Sequence, residues 1–265
     1  MPQFCTGYHT MTYESLREIV QKKETEVIAD IIELMVDGKI LILKDTFSKQ
    51  VTQTIKSNTK AFWNQNKSSF YKMNDGCPNY HRIIDDEISQ NYSIKKVGHT
   101  TFFFPWNKDD LGVREIIMDR WRVVKEFTGL DPYEYERNIP SEGTCDRIQV
   151  VLYPPKCGLL ETHSDPFHNQ LTFASGYLST RGAKGTYEKG GFYAIGKNGN
   201  KIDLEENIVE GDFAIGLATI KHGVEIIDPD SNQPVDWYGD DGRWFLGLYS
   251  NDSDNVKNRR TAKPA

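Results

Sequence analysis

The chain has 265 residues, of which 38% are hydrophobic, 26% charged and 12% aromatic, with a formal net charge of −6 and a pI near 5.6. This composition is that of a soluble globular protein with enough apolar residues for a sizeable core. The acidic balance provides no basic face for nucleic acid, so we expect no nucleic-acid partner.

The cysteines and the termini indicate a reducing compartment. Cys5, Cys77, Cys145 and Cys157 stand far apart, and none forms a CxxC pair. So few cysteines in a long chain predict free thiols rather than a disulfide framework. Residues 1–30 show no basic start followed by an apolar run, and no stretch approaches the roughly 18 consecutive apolar residues of a membrane span. We therefore expect a cytoplasmic protein with no membrane partner.

The first half of the chain predicts helices around one strand. Apolar residues recur at helical spacing, a Lys-Ile-Leu-Ile-Leu run favours a buried strand, and glycines stand where two helices should stop. The predicted elements are a helix over residues 16–35, a strand over 39–43, a helix over 47–62 and a helix over about 112–128.

After Pro140 the pattern changes to short strands of period two, separated by Gly, Pro, Asn and Asp. Such a run predicts an all-β sandwich or barrel, and the jelly roll is the natural candidate. The predicted strands cover residues 147–153, 171–179, 190–195, 213–227 and 243–250.

The N-terminal half has no complete core of its own, so the chain is interpreted as a single domain over residues 1–265. Residues 1–139 form a helical flank and lid region, with the irregular stretch 64–110 as the lid. Residues 140–252 form the β core. The polar tail, residues 253–265, is expected to fray.

The segment from Glu161 to His168 carries the main chemical signal. On an extended segment residues i and i+2 point the same way, so His163 and Asp165 can reach one metal ion. His222 lies further along, on a strand with small apolar neighbours that fits a barrel interior. Two imidazoles and one carboxylate leave three metal positions open, which is the arrangement that selects iron(II) in oxygenases. His168 lacks the i,i+2 geometry and is interpreted as a loop or pocket residue.

Arg243 opens the last predicted strand, and two orientations are open for it. It either extends outward to water or points inward, where its planar fork can bind a carboxylate bidentately.

At this point the chain resembles the 2-oxoglutarate/iron(II) dioxygenase superfamily over roughly residues 146–250. The resemblance implies a double-stranded β-helix (jelly roll) core flanked by helices. It implies iron ligation by His163, Asp165 and His222, with 2-oxoglutarate and O2 as co-substrates and Arg243 holding the distal carboxylate. Tyr153 stands where some members place a tyrosine that contacts 2-oxoglutarate, and an aromatic core residue is the other interpretation. The matching segments are residues 148–153, His163-Ser-Asp165, 176–179, 190–192, 211–213, 222–224 and Arg243.

Three features bear on how far the resemblance extends. The insert of residues 228–242 is longer than usual and carries turn residues, so a long hairpin loop explains it. Phe245 stands where many members have Ser or Thr, which leaves the second contact to the carboxylate undetermined. Asp165 occupies the position that is Ala or Gly in halogenating relatives, which favours hydroxylation.

The activity that follows is hydroxylation of an unactivated C–H bond of a small molecule, such as an amino acid or natural-product intermediate, with release of succinate and CO2. Two alternatives stay open: a cupin-type metal-dependent dioxygenase or isomerase that does not use 2-oxoglutarate, and a non-catalytic jelly-roll binding module. Oligomeric state is not assigned. Candidate substrate contacts, with ordinary packing as the alternative for each, are His81, Arg82, Phe104 and Trp106.

Overall fold

Five α-helices and thirteen strands are found in the computed structural model, which describes residues 1–167 and 171–264. The helices are α1 (Tyr13–Gln21), α2 (Thr25–Val36), α3 (Lys49–Gln65), α4 (Asp86–Ser89) and α5 (Arg114–Phe127). The strands are β1 (Gly7–Thr12), β2 (Lys39–Lys44), β3 (Tyr80–Ile84), β4 (Lys96–Phe103), β5 (Thr144–Tyr153), β6 (Leu159–Ser164), β7 (Thr172–Tyr177), β8 (Gly191–Ile195), β9 (Lys201–Asp203), β10 (Phe213–Leu217), β11 (His222–Glu225), β12 (Arg243–Asp252) and β13 (Lys263–Pro264).

The eight strands from β5 to β12 form two layers of four, and consecutive strands lie in different layers except for the β8–β9 hairpin. Strands β5, β12, β7 and β10 pair side by side in one layer, and β6, β11, β8 and β9 do so in the other. Strand β4 pairs with both β5 and β6, so it joins the layers into a nearly closed sheet. This topology is a double-stranded β-helix, or jelly roll, with helices outside it. The mostly β fold class predicted from the sequence is confirmed.

Strands β5 and β12 present one face to the helices and the other to the barrel interior. Side chains on the outer face join the core that contains residues of α1, α2, α3 and α5, and each buried aliphatic side chain there contributes about 1.5–3 kcal/mol. The residues that alternate with them along the two strands face the interior. Among these, Val151, Tyr153 and Phe245 pack toward Val224 of β11 across the barrel. The outer-face residues are Ile148, Val150, Leu152, Trp244, Leu246 and Leu248.

Three predicted elements differ from the structure. The single helix predicted over residues 16–35 is two helices, because Lys23 adopts a positive φ of 54° between α1 and α2. The stretch 64–110, predicted to be irregular, contains β3 and β4. Strand β4 is buried on both faces from Val97 to Thr101, so its sequence shows no alternation of polar and apolar residues. The strand predicted over residues 213–227 is divided into β10 and β11 by residues 218–221.

The C-terminal segment, residues 253–264, contacts the rest of the fold at its two ends. The buried Ser253 donates its hydroxyl to the carbonyl of Pro140 at 2.6 Å. Asp254 accepts from the backbone N–H of Met73. Strand β13 then pairs with β6, with Pro264 opposite His163. The segment therefore runs beside the predicted metal motif.

The cysteines of the described residues agree with the expectation of free thiols. All four cysteines are free, and three of them are buried. No helix in the described ranges is long and apolar enough to cross a bilayer.

Candidate active site

Strands β6 and β11 bring two histidines and one aspartate together inside the barrel. His163 and His222 are directly opposite each other in the antiparallel pair, and Asp165 follows β6 by one residue. Each histidine Nε2 lies 3.7 Å from one oxygen of the Asp165 carboxylate. The three candidate ligand atoms all lie within 4.8 Å of one another, and the two histidines are buried. One metal ion could contact all three residues.

The backbone fixes which nitrogen of each ring faces the cluster. His163 Nδ1 lies 2.8 Å from the carbonyl oxygen of Glu161, and His222 Nδ1 lies 2.9 Å from that of Ile220. A carbonyl oxygen only accepts, so each Nδ1 carries the proton and each Nε2 is left with a lone pair. Donation from the second ring nitrogen to a carbonyl is the usual outer contact of a metal-binding histidine.

The protonation states of the cluster also suit a cation. Burial and the nearby His163 lower the pKa of His222 to about 4, which keeps this imidazole neutral. Burial raises the pKa of Asp165, but its interactions with His163 and His222 outweigh burial, so the net shift is downward. Burial lowers the pKa of His163, and the Asp165 carboxylate reverses that shift. A proton therefore competes with a metal mainly at His163.

Arg243 points into the barrel, which settles the two orientations left open by the sequence. Its side chain is 1% exposed, and its Nε donates to both oxygens of Glu205 at 2.9 and 3.2 Å. Its Nη1 and Nη2 are buried and have no hydrogen-bond partner among the described residues. Gly242, at φ 113°, directly precedes the strand, and a Cβ there would lie 2.4 Å from the Tyr153 carbonyl oxygen. The turn thus requires glycine immediately before the arginine.

Glu205 is a site residue that the sequence analysis missed. It is 2% exposed, and besides Arg243 it accepts from the backbone N–H of Phe192 and from the Tyr187 hydroxyl, both at 2.5 Å. Burial lowers the pKa of Arg243, but the Glu205 carboxylate outweighs this and the net shift is upward. Glu205 therefore holds the guanidinium charged, with its two Nη atoms free for a ligand.

Two buried tyrosines flank the Arg243 guanidinium. Its Cζ lies 5.6 Å from the ring centroid of Tyr153 and 5.2 Å from that of Tyr177. Burial raises the pKa of Tyr153 to about 12, so its hydroxyl is protonated. The Tyr177 hydroxyl is buried without a hydrogen-bond partner in the described part of the chain. Two guanidinium nitrogens and one hydroxyl thus lie in the barrel interior without acceptors.

The suggested substrate contacts in residues 64–110 are mostly engaged in packing. His81 bonds to His99 Nε2 at 2.8 Å and to the Asn66 carbonyl at 3.0 Å. Phe104 stacks on Trp106 at 4.6 Å, and the Trp106 indole donates to the Cys77 carbonyl. Arg82 donates to the Tyr92 hydroxyl at 2.9 Å. His168 lies outside the described residues.

Solved structures similar to this chain are known, although no protein-family model matches it and no curated protein matches its sequence. A Pseudomonas putida prolyl-4-hydroxylase is 14% identical with a TM-score of 0.51, covering 86% of this chain and 100% of that one. A Neurospora crassa protein crystallised with alpha-KG and thymine is 12% identical with a TM-score of 0.54, covering 93% and 86%. JOX2, in complex with 2OG, Fe and JA, is 12% identical with a TM-score of 0.51, covering 98% and 78%. At these identities the likeness shows the fold.

The buried pair of Glu205 and Arg243 generates a prediction about stability. Glu205→Ala leaves the Arg243 charge buried and unpaired, so we expect the free energy of unfolding to fall by about 3–5 kcal/mol in urea titrations of the ligand-free protein. Tyr187→Phe removes only a neutral donor to the same carboxylate and should cost about 0.5–1.5 kcal/mol. The double variant Glu205→Ala/Arg243→Met should cost less than the sum of its single changes. A loss below about 1 kcal/mol in Glu205→Ala would contradict this role.

Proposed function

We propose that this protein is a 2-oxoglutarate-dependent iron(II) oxygenase that hydroxylates an unactivated C–H bond of a small molecule and releases succinate and CO2. One observation carries the proposal. A cluster of two histidines and one carboxylate shares a barrel interior with a buried arginine whose Nη1 and Nη2 have no partner among the described residues. A metal alone explains the cluster but leaves the arginine unexplained, whereas a metal with a dicarboxylate accounts for both.

The donor set fits iron(II) in the proposal. His163 and His222 would bind through Nε2, and Asp165 through a carboxylate oxygen. Two imidazoles and one carboxylate leave open positions on an octahedral ion, which oxygenases need for a co-substrate and O2. When bound, the metal would supply the redox chemistry that couples decarboxylation of 2-oxoglutarate to oxidation of a C–H bond. Asp165 favours hydroxylation over halogenation, since a carboxylate fills the position that a halide would need.

The Arg243 pocket fits the distal carboxylate of 2-oxoglutarate. Nη1 and Nη2 form the edge of the guanidinium that binds a carboxylate bidentately, because Nε already donates to Glu205. Tyr177 adds a hydroxyl donor, and in this proposal it fills the role that Ser or Thr, two residues after the arginine, has in many relatives. Tyr153 would line the same pocket with its ring and hydroxyl. Three donors on the carboxylate would position the other end of the molecule toward the metal.

The remaining contribution of the chain is to orient the ligands and exclude water. The carbonyls of Glu161 and Ile220 hold the two imidazole rings. Phe173 and Phe192 pack against His222 at 4.7 and 5.8 Å between ring centroids. Such apolar walls limit water around a reactive centre and strengthen its electrostatic interactions. The prolyl-4-hydroxylase, and the structures crystallised with alpha-KG or with 2OG and Fe, support the same class of reaction on this fold.

The first prediction from this function concerns the metal ligands. His163→Ala and His222→Ala should each weaken iron(II) binding by at least about 100-fold, since a ligand contributes more than the outer contacts whose loss costs 10–100-fold. Iron-dependent conversion of 2-oxoglutarate to succinate should disappear, while circular dichroism should report a folded protein. The matched control is His9→Ala, an exposed histidine of β1, which should bind iron normally. Turnover that survives either barrel variant would disprove the ligand assignment.

A second prediction distinguishes a role of Tyr177 in binding 2-oxoglutarate from a role in stability. Tyr177→Phe should raise the dissociation constant for 2-oxoglutarate about 10–100-fold, because a hydrogen bond to a charged group is lost. The ligand-free variant should be at least as stable as the parent, since a buried hydroxyl without a partner is removed. Tyr193→Phe is the matched control, because its hydroxyl bonds to Thr162 at 2.7 Å instead of facing Arg243. Unchanged 2-oxoglutarate binding in Tyr177→Phe would contradict the assignment.

A further inference from the structure

A second arginine in the barrel has no counter-ion, and the proposed function does not use it. Arg147 makes no hydrogen bond or ion pair with any residue of the described ranges, and its Nε is buried. Its guanidinium lies between two rings, 5.1 Å from the centroid of Phe102 and 5.5 Å from that of Tyr249. Aromatic faces orient the guanidinium plane and leave its hydrogen-bond donors free.

Arg147 and Arg243 lie on the same interior face but at opposite ends of one strand pair. Arg147 is opposite Tyr249, and Tyr153 is opposite Arg243, so the two sites are separated by six residues along β5. Six residues of strand span about 20 Å. A 2-oxoglutarate molecule with one carboxylate at Arg243 and the other at the metal has no acid group left for Arg147. Arg147 therefore stays without an anion when the co-substrate is bound.

The metal cluster faces the same barrel interior as the two arginines. Between the two ends of the strand pair, Val151 of β5 packs with Leu160 of β6 and Val224 of β11. Leu160 and Val224 are register partners on the two strands that carry His163 and His222. With the co-substrate at the Arg243 end, the Arg147 end of the same interior is left for a primary substrate.

We infer that the primary substrate is a carboxylic acid with an apolar or aromatic skeleton, whose carboxylate is bound by the Arg147 guanidinium. The inference rests on the proposed function, because that function is what makes the bound acid a substrate. The anion site itself is argued from the contacts of Arg147. The planar fork selects a carboxylate. Phe102, Tyr249 and Tyr80, whose ring lies 4.7 Å from that of Phe102, provide apolar walls for the skeleton. A C–H bond of the skeleton is then directed toward the metal cluster.

The test uses the full chain loaded anaerobically with iron(II) and 2-oxoglutarate, so that the Arg243 pocket is filled and no turnover occurs. Benzoate, benzamide and phenyl phosphate are titrated by calorimetry at constant ionic strength. Benzoate should bind at least tenfold more tightly than benzamide. Arg147→Met should weaken benzoate binding at least tenfold and leave benzamide binding unchanged, and Arg147→Lys should give an intermediate loss.

Two controls distinguish an anion site at Arg147 from a nonspecific charge effect and from a structural role. Arg259→Met removes a cation that is already paired with Asp254, and this variant should bind benzoate like the parent. Without ligands, Arg147→Met should unfold at the same or a higher urea concentration than the parent, because an unpaired charge is removed. A structural role for Arg147 would instead lower that midpoint and would overturn the inference.

Three binding outcomes would also overturn it: no benzoate binding to the parent protein, equal benzoate affinity in Arg147→Met, or phenyl phosphate binding at least tenfold more tightly than benzoate. Failure of the proposed function looks different. In that case 2-oxoglutarate itself does not bind the parent protein, whereas the dependence of benzoate binding on Arg147 remains measurable.

Discussion

Positive charge buried inside a nearly closed barrel is the constraint on which the rest of this structure depends. Arg243 and Arg147 lie on neighbouring strands, and the described residues supply only one acid, Glu205, directly bonded to either of them. A buried cation is tolerated when it is paired or when a ligand completes it. Glu205 keeps Arg243 charged and oriented while leaving two nitrogens free. In the proposed account, the barrel therefore receives one anion at each of these two arginines.

The cluster itself depends on strand pairing rather than on long loops. His163 and His222 are register partners in β6 and β11, so their rings must lie on the same face of the sheet. Backbone carbonyls two residues before each histidine fix the rings, and Asp165 completes the set just beyond the end of β6. Because rigid strands hold the two histidines, the geometry would need little rearrangement on binding a cation. The C-terminal strand β13 pairs along the same edge and adds a further backbone contact beside His163.

Much of the fold and of the candidate site could be predicted from local sequence. The features that could not be predicted depend on contacts between residues far apart in the chain. The i,i+2 spacing of His163 and Asp165 and the strand that begins at Arg243 are both readable from neighbours in the chain. Glu205 could not be identified, because it lies in a polar segment and meets Arg243 only through the fold. Arg147 could not be identified either. Alternation along β5 predicts which face of the strand carries Arg147, but it does not show whether an acidic residue lies opposite that face. Strand β4 was missed because burial on both faces removes the period-two pattern.

The central claim, that one barrel binds both a metal at the histidine cluster and 2-oxoglutarate at Arg243, is tested most directly by spectroscopy without turnover. The anaerobic protein is loaded with iron(II), 2-oxoglutarate is added, and the visible spectrum is recorded for the weak metal-to-ligand charge-transfer band of the chelate. The account predicts a band that saturates at one 2-oxoglutarate per iron and that is absent in His222→Ala. Stoichiometric iron binding with no such band would contradict the claim and favour a metal enzyme that does not use 2-oxoglutarate. Absence of iron binding would favour a non-catalytic binding module.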